Sequence, residues 1–455
     1  MGVKEETTVV EQEDGAFSPA KKKKVTRQIV FALFQAVLQH VMALQSEVRL
    51  FNDACGGDQA LTSRCLASAT ALSGLVGLFL NQIGGKLSDS LGRKPFLLTG
   101  PLVTMGCGLA AFRNSKSIAT LMMVRILKSV FITFSGTVMC SASFSDMLNV
   151  KERTLVNGQV FMAVGSAVVL GPYVESLILK ITRGDAKKAF LAMCIAAFVQ
   201  LVNNYFGIPE TNIKKRPLGS ILDIFKGMNP FNFLTVFRGK NQVLKKLITI
   251  QTFQYCSDGK VTSDLCQQWV KNQLSWTADT TRDFVAFWGA CVTVGGGVIQ
   301  QALLKMLPTR AYSTLGNLCV WAAMTMHGIM PKGIFMWAPV PLLIPGVNGG
   351  ASHSITSLAT EHGKREGYGN GEMTAWSINL RTLVQSLDIL FLGMWYARCT
   401  QRKIYPGTTW FIAAFLGGGL PQLLIWSMKA KDFDPLPELK ADSADVKGSE
   451  EKKAA

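Results

Sequence analysis

Long apolar runs are the feature that most constrains this chain. A helix needs about 20 mostly apolar residues to cross the roughly 30 Å hydrocarbon core of a bilayer. Eleven such runs lie between charged residues or Gly and Pro clusters, at residues 27–45, 64–83, 95–112, 118–140, 155–179, 188–206, 284–304, 314–330, 335–357, 372–396 and 408–428. A twelfth, weaker run at 244–269 contains charged residues. Because backbone groups in lipid must be hydrogen-bonded within their own segment, the runs predict an all-α membrane protein.

Composition agrees with this prediction. The chain is 48% hydrophobic and only 17% charged, whereas soluble domains carry about 25% charged residues. A net charge of +17 by itself is compatible with a nucleic-acid partner, but the mean hydropathy of +0.25 excludes a basic soluble domain and a disordered chain. We therefore expect the lipid bilayer, and no nucleic acid, as the partner.

The distribution of basic residues predicts the orientation. Four lysines, at 21–24, precede the first run, and no small-residue cleavage pattern of a signal peptide follows. With twelve spans, about twice as many Lys and Arg lie on the side of the two termini as on the other side. Since basic loops stay cytosolic, we expect both termini in the cytosol.

The longest connection divides the spans six and six. It is basic, and its amphipathic stretch at 218–225 is predicted to lie on the membrane surface. The predicted organisation is therefore a disordered cytosolic tail (1–26), a six-helix half (27–208), a cytosolic central loop (209–243), a second six-helix half (244–428) and a disordered cytosolic tail (429–455). This layout is typical of transporters that bind substrate between two halves.

The segment from Gly85 to Lys94, between the second and third runs, carries a specific pattern. Its fixed residues are Gly85, Leu87, Ser88, Asp89, Gly92, Arg93 and Lys94. The segment resembles the signature loop of the major facilitator superfamily, which occupies this place in a twelve-span chain. Arg125 in the fourth run and Pro209-Glu210-Thr211 after the sixth also resemble the superfamily, especially its drug-antiporter and tetracycline-exporter-like group. The resemblance implies twelve transmembrane helices in two six-helix halves, the major facilitator fold.

The resemblance also implies a conformational latch. Asp89 is expected to face the N-terminus of the eleventh helix, near Glu372, and Arg93 is expected to pair with an acid at the end of the fourth, for which Asp146 is the candidate. Gly85 and Gly92 permit the tight reversal between the two helices, because glycine has no Cβ. The alternative is a turn whose basic residues are solvated.

Charged residues inside spans usually face a cavity or a partner. Arg125 stays protonated, so it needs a carboxylate, a carbonyl or an anionic substrate, and Lys128 lies near the same helix face. The alternative is a structural contact with a neighbouring helix. We take Arg125 as a candidate for the substrate or proton site.

A second candidate, Glu175, lies in the fifth span. The segment from Ala167 to Ser176 resembles the antiporter motif of the superfamily: Gly171 and Pro172 are kept, while Ala167 and the Glu175-Ser176 pair replace glycines. A carboxylate in a low-dielectric site can carry a proton, which makes Glu175 a proton or substrate candidate. The alternative is a residue at the outer helix end, facing water.

Asp388 and Asp258 are the remaining acidic candidates. Asp388 lies on the same face of the eleventh span as Arg381, with an ion pair as the alternative role. Asp258, with Asp264, marks either a discontinuous helix that lines a cavity or part of an outer loop.

Three polar residues of the first span complete the candidate set. Gln35 and Gln39 share a helix face, and His40 lies about 100° away from Gln39 around the helix. They either line a cavity or form hydrogen bonds between helices.

These observations predict a function. No nucleotide-binding motif, metal-ligand spacing or cofactor site is found in the sequence, so we expect no enzyme and no cofactor. We expect a monomeric secondary transporter that moves a small organic molecule by alternating access, driven by protons and operating as an antiporter. Two alternatives remain: a proton-coupled symporter or uniporter for a nutrient, and a transporter-like scaffold or receptor that moves nothing.

Overall fold

The structure is a computed structural model that describes residues 18–148, 150–212, 231–257, 263–295, 299, 302–303, 306–329, 333–343, 350–366 and 370–433. Within these ranges the chain is helical and contains no strand. The all-α prediction is therefore confirmed. The amphipathic stretch at 218–225 and Asp258 lie outside the described residues.

The first six spans are formed by eight helices. They are α1 (Pro19–Val41), α2 (Leu44–Ala54), α3 (Gln59–Leu91), α4 (Lys94–Arg113), α5 (Ile118–Phe131), α6 (Met139–Met147), α7 (Val150–Ile181) and α8 (Ala186–Gly207). A π-helical segment, Ile132–Val138, joins α5 to α6 within the fourth span. We call the face on which α3 ends and α4 begins the signature face, and the opposite one the distal face.

The second half of the described chain contains nine helices. They are α9 (Gln242–Gln254), α10 (Asp264–Gln273), α11 (Ala278–Val294), α12 (Thr309–Ile329), α13 (Ile334–Trp337), α14 (Gly350–Arg365), α15 (Asn370–Arg402), α16 (Thr408–Ala414) and α17 (Leu420–Trp426). A π-helical segment, Phe415–Gly419, joins α16 to α17. Short 3-10 segments lie at Asn232–Arg238, Tyr255–Ser257, Val340–Leu343 and Ala430–Phe433.

Seven helical segments of the described chain are long and apolar enough to cross a membrane. Six of these segments form the first half of the chain, and the remaining one is Thr408–Trp426, near the end of the described chain. The protein is therefore an integral membrane protein that crosses the bilayer several times.

The first span differs from its prediction at both ends. Helix α1 begins at Pro19 instead of residue 27, and the span continues past residue 45 as α2 to Ala54. Between them the helix is interrupted at Met42 and Ala43, although the local sequence contains neither Gly nor Pro. The cause of this break lies in another helix, as described below.

The runs predicted as the seventh and tenth spans are also divided in the described residues. In the seventh, α9 and its 3-10 extension end at Ser257, and α10 begins at Asp264, which agrees with a discontinuous helix. The tenth was predicted as one run at 335–357, but in the described residues α13 ends at Trp337 and a 3-10 segment, Val340–Leu343, follows it. Pro339 and Pro341 lie directly after α13, and proline removes a backbone donor and clashes with the preceding turn.

Two helix pairs join the halves: α3 packs along α15, and α7 packs along α11. Small residues allow this close approach. A Cβ placed on Gly393 of α15 would lie 2.4 Å from the Cβ of Ala67, and one on Gly289 of α11 would lie 3.0 Å from Val168.

Candidate functional site

Four charged side chains from three spans form a buried cluster, which we call the charge cluster. Its members are Glu47 (α2), Arg125 and Lys128 (α5), and Asp264 (α10). Arg125 Nη1 donates to Glu47 Oε1 at 3.0 Å, and Lys128 Nζ donates to Glu47 Oε2. Arg125 Nη2 also donates to Asp264, so an ion pair connects the two halves.

Burial makes these charges depend on one another. The exposed fraction is 2% for Glu47, 8% for Arg125, 1% for Lys128 and 8% for Asp264. A buried ion that loses its partner costs about 3–5 kcal/mol. With two positive and two negative side chains, the formal charges of the cluster balance.

Local structure explains how the members meet. Arg125 and Lys128 are three residues apart on α5 and therefore lie near one face. Asp264 occupies the first turn of α10, where the hydroxyl of Ser263 accepts a hydrogen bond from the backbone N–H of Cys266 at 3.4 Å. Thr70 of α3 accepts from Arg125 Nε at 3.0 Å and from Nη2 at 2.9 Å.

A cavity of about 230 Å³ lies beside the charge cluster. Residues of α1, α2, α3, α5, α10 and α15 form its walls, so both halves contribute. Apolar side chains such as Leu66 and Leu392 alternate with polar ones, among them His40, Thr70, Arg125, Asp264, Gln268 and Gln385. An apolar wall with a few convergent polar groups is the usual form of a small-molecule site.

On the distal side of the cavity the halves are in contact. Arg64 Nη2 donates to Gln401 Oε1 at 2.5 Å, and the hydroxyl of Ser63 donates to the carbonyl of Gly393 at 3.1 Å. Between α7 and α11, Arg282 Nη1 donates to the hydroxyl of Ser176 at 3.1 Å. The cavity is thus closed toward this face by polar contacts that water could replace.

Glu175 is buried, with an exposed fraction of 1%. It therefore does not have the water-facing position that the alternative interpretation requires. Its carboxylate accepts from the backbone N–H of Ser46 at 2.6 Å and of Gln45 at 3.3 Å. These N–H groups belong to the first turn of α2. Glu175 therefore replaces the carbonyls that a continuous helix would provide, and the break between α1 and α2 lies at this contact.

The three polar residues of α1 have different surroundings. Gln39 donates to Gln200 Oε1 at 2.9 Å and to the carbonyl of Ala196 at 3.2 Å, both on α8, so it joins two helices and is not part of the cavity wall. Gln35 is likewise not part of that wall, whereas His40 lines it. Of the two alternatives predicted for these residues, His40 therefore follows the first, lining a cavity, and Gln39 follows the second, hydrogen bonding between helices.

Asp388 is buried on α15, next to the cavity residues Gln385, Ile389 and Leu392. Asp388 itself does not line the cavity. The guanidinium of Arg381 lies over the ring of Tyr255, 5.7 Å from its centroid.

The signature segment forms a tight turn around Arg93. Arg93 Nε donates to Asp146 Oδ2 at 2.9 Å, which confirms the predicted pair, and its Nη2 lies 2.6 Å from Asp89 Oδ1. Burial disfavours the charge on Arg93, but the hydrogen bonds and charges of Asp146 and Asp89 raise its pKa above the ordinary value. The contact of Asp89 with the eleventh helix remains a prediction.

Only one of the two glycines forms the reversal. Gly92 has φ +106°, a conformation that glycine adopts easily. Gly85, in contrast, lies within α3, which continues to Leu91, so its predicted place in the turn is wrong. Lys94 begins α4, and its Nζ lies 5.1 Å from the ring centroid of Tyr205.

Glu210, noticed in the sequence only as part of a family pattern, completes this turn. Its carboxylate accepts from the backbone N–H of Arg93 at 2.8 Å and of Lys94 at 3.2 Å. It therefore occupies the N-terminus of α4, where a negative charge is favourable. The side-chain amide of Asn212 donates to the carbonyl of Asp89 at 2.9 Å, at the end of α3.

The sequence interpretation missed Glu47 as a site residue because the first span was ended at the polar residues beyond Gln45. One signal was present, since α2 is strongly amphipathic and places Glu47 among buried neighbours such as Leu44, Val48 and Phe51. A charged residue on the apolar face of a helix next to a span is a candidate for a buried pair.

Comparison with known proteins agrees with this architecture. The family model described as Major Facilitator Superfamily matches residues 54–377. In curated sequences, Multidrug resistance protein MdtM of Escherichia coli O157:H7 is 26% identical over 166 residues, and the protein of the same name from strain K12 is 25% identical. These matches cover 36% of this chain and 36% of each relative's own length.

Solved structures resemble nearly the whole chain. The human organic anion transporter MFSD10 (TETRAN) superposes with a TM-score of 0.62 at 16% identity, covering 90% of this chain and 100% of that one. A D-xylose-proton symporter gives 0.65 at 14% identity, covering 90% and 98%. A POT family transporter in complex with 5-aminolevulinic acid gives 0.66 at 12% identity, covering 90% and 96%. At these identities the likeness concerns the fold alone, but the family match extends over most of the sequence, and the chain belongs to the Major Facilitator Superfamily.

Proposed function

We propose that this transporter moves a small organic molecule by alternating access and exchanges it for protons, as an antiporter. The observation that carries the proposal is the ion pair between Arg125 and Asp264, which joins the two halves at the wall of the cavity. A contact in this place must break when the cavity opens to the distal face. The charged side chains that lose their partner when this ion pair breaks determine which substrate can bind.

Charge balance describes the opened state. When the halves separate, Glu47 remains with Arg125 and Lys128, so the first half keeps one excess positive charge. Asp264, on the second half, keeps a negative charge without its partner. Arg125 cannot lose its proton, whereas a carboxylate can gain one, so a proton on Asp264 removes the cost of its isolated charge.

Antiport follows if the substrate is cationic. A cationic group needs the deprotonated carboxylate of Asp264, so substrate and proton exclude one another at the same oxygen atoms. Substrate and proton are then carried in different steps of the transport cycle. The partial similarity to a protein named for multidrug resistance supports this version.

Symport is the second candidate, and the position of Arg125 favours it. Arg125 faces the cavity with a guanidinium, which can bind a carboxylate in two hydrogen bonds. If an anionic substrate replaced Asp264 as the partner of Arg125, Asp264 could take up a proton. Substrate and proton would then move in the same direction. The likeness of the fold to a proton symporter and to an organic anion transporter is compatible with this version.

The contacts on the two faces supply the gates. The distal face is closed by two pairs, Arg64 with Gln401 and Arg282 with Ser176. On the signature face, Asp89 and Arg93 belong to the signature turn. We propose that the signature turn acts as the latch of the opposite conformational state.

The experiment first identifies a ligand and then measures coupling. Purified protein is screened by thermal shift with small organic cations, anions and neutral molecules. Proteoliposomes with a trapped pH-sensitive dye then report whether adding the ligand drives proton movement against or along the ligand. Opposed movement supports antiport, and parallel movement supports symport.

The variant Asp264→Asn tests the site. If the ligand is cationic, Asp264→Asn should lose ligand binding together with proton movement; if the ligand is anionic, the variant should bind it without proton movement. Asp53 is exposed on α2, so Asp53→Asn should behave as the wild type. Proton movement at the wild-type rate in Asp264→Asn would refute the coupling role of Asp264. Flux no greater than in protein-free liposomes would instead favour the scaffold alternative.

A further inference from the structure

A second recess lies on the signature face, away from the charge cluster. It occupies about 440 Å³ between the first turns of α1 and the start of α7, and we call it the basic cleft. Its wall contains Lys22, Lys23 and Arg27 of α1, together with Leu148, Val156 and Gln159. A volume of this size is typical of sites for small ligands or headgroups.

Three positive charges of the basic cleft converge from one helix. Lys23 and Arg27 are four residues apart and share a face of α1, and Lys22, about 100° from Lys23 around the helix, also lines the cleft. Within the described chain none of them forms an ion pair, and no described carboxylate belongs to the wall of the cleft. The cleft therefore holds three positive charges that nothing in the described protein balances.

These side chains come from an ordered helix. Ser18 caps α1, with its hydroxyl accepting from the backbone N–H of Lys21 at 3.4 Å, and Pro19 occupies the first helical position. Val25 and Thr26, on the turn between the basic residues, are buried against the rest of the protein. The hydroxyl of Thr26 is buried without a hydrogen-bond partner in the described chain.

The surroundings indicate a ligand with both a charge and an apolar part. Arg27 lies four residues after Lys23, and Phe31, four residues further along the same face, is nearly half exposed. Along this stripe, formed by Lys23, Arg27 and Phe31, the basic side chains come first and the exposed apolar side chain lies nearer the membrane interior. Leu148 and Val156 add apolar surface to the cleft itself.

We propose that the basic cleft binds the phosphate of an anionic phospholipid, with an acyl chain lying along α1 toward Phe31. Clusters of Lys and Arg at the membrane boundary attract anionic lipids, and basic pockets between transmembrane helices bind their headgroups. The apolar stripe favours a lipid over a free phosphate compound, because a free anion gains nothing from Phe31.

The test compares three probes on the full-length protein in detergent. They are dioctanoyl-phosphatidylglycerol, dioctanoyl-phosphatidylcholine with the same chains and no net charge, and inorganic phosphate. Binding is measured by native mass spectrometry and thermal shift. We expect phosphatidylglycerol to bind the wild type at least tenfold more tightly than either of the other two.

Matched charge variants locate the site. Lys22→Gln, Lys23→Gln and Arg27→Gln together should weaken phosphatidylglycerol binding at least tenfold. Lys116→Gln, Lys180→Gln and Lys187→Gln, which remove three charges at the distal face, should leave it unchanged. Equal binding by the cleft variant, or an equal loss in the distal variant, would refute the proposal, and equal binding of inorganic phosphate would refute a lipid source.

A measurement on the wild type covers the case in which the cleft variant does not fold. In nanodiscs, chemical labelling of Lys22 and Lys23 should fall several-fold when phosphatidylcholine is replaced by phosphatidylglycerol, while Lys116 should be labelled equally in both. Unchanged labelling of Lys22 and Lys23 would contradict the proposal.

Discussion

The carboxylate of Glu175 accepts a hydrogen bond from the backbone N–H of Ser46 at 2.6 Å. These residues belong to α7 and α2 and are separated by 129 positions in the sequence. The contact places a negative charge at the start of a helix, where the peptide dipoles favour it. Because Glu47 is the next residue, the same contact sets the position of the charge cluster.

Glu175→Ala should destabilise the protein. The buried N–H of Ser46 and the half-buried N–H of Gln45 would lose their acceptor, and a buried unsatisfied group costs about 1–3 kcal/mol. Glu175→Gln keeps an acceptor oxygen and should cost less. Thermal unfolding in detergent measures both, and equal stability of Glu175→Ala and the wild type would show that this cap is dispensable.

Glu47→Gln should be more harmful than its size suggests. It leaves Arg125 and Lys128 without their shared carboxylate, and breaking such a buried pair costs about 3–5 kcal/mol. Adding Lys128→Met to Glu47→Gln should recover part of the loss, because Arg125 and Asp264 then balance each other. A double-mutant cycle by chemical unfolding measures this coupling, and strictly additive effects would argue against it.

Arg93→Lys should slow transport at least tenfold while the protein still folds. Lysine keeps the charge but lacks the planar fork that contacts Asp146 and Asp89 together, whereas the Glu210 cap on α4 remains. Arg113→Lys, at the exposed end of α4, is the matched control. The measurement is initial flux in proteoliposomes, and a wild-type rate for Arg93→Lys would exclude the latch.

Gly393→Ala should hinder closure of the distal face. Its Cβ would lie 2.4 Å from the Cβ of Ala67, closer than two carbon atoms can approach, so α3 and α15 would have to separate. Gly77→Ala is the control, because no atom lies within 4 Å of the Cβ position there. We expect slower transport and greater thiol labelling at the distal face for Gly393→Ala. Identical behaviour of the two variants would contradict this.

Joining α3 to α15 at the distal face should stop transport. Cysteines introduced at Arg64 and Gln401, whose side chains are 2.5 Å apart, can be linked by a short bis-maleimide. Each single-cysteine variant treated in the same way serves as the control. Transport that continues after complete cross-linking would show that this contact does not have to open.

Local properties made much of the molecule predictable. Apolar runs indicated the spans, since lipid requires long apolar helices, whereas the pair of Arg93 with Asp146 was implied by the resemblance to a family's signature loop. The same kind of reasoning ended the first span too early. It also left open whether Gln35 and Gln39 line a cavity or form hydrogen bonds between helices, because the partners of a polar residue on a helix depend on which helix packs against it.

The sequence by itself determined that the chain crosses a membrane many times and that Gly92 forms the turn after α3, because hydropathy and the freedom of Gly92 are local. Only the tertiary structure decided where the first span breaks. No Gly or Pro interrupts α1 and α2 there; the carboxylate of Glu175, far away in the sequence, supplies the hydrogen-bond acceptor that begins α2. The meeting of Glu47, Arg125, Lys128 and Asp264 was decided in the same way, because buried charges are stable only when packing brings their partners within reach.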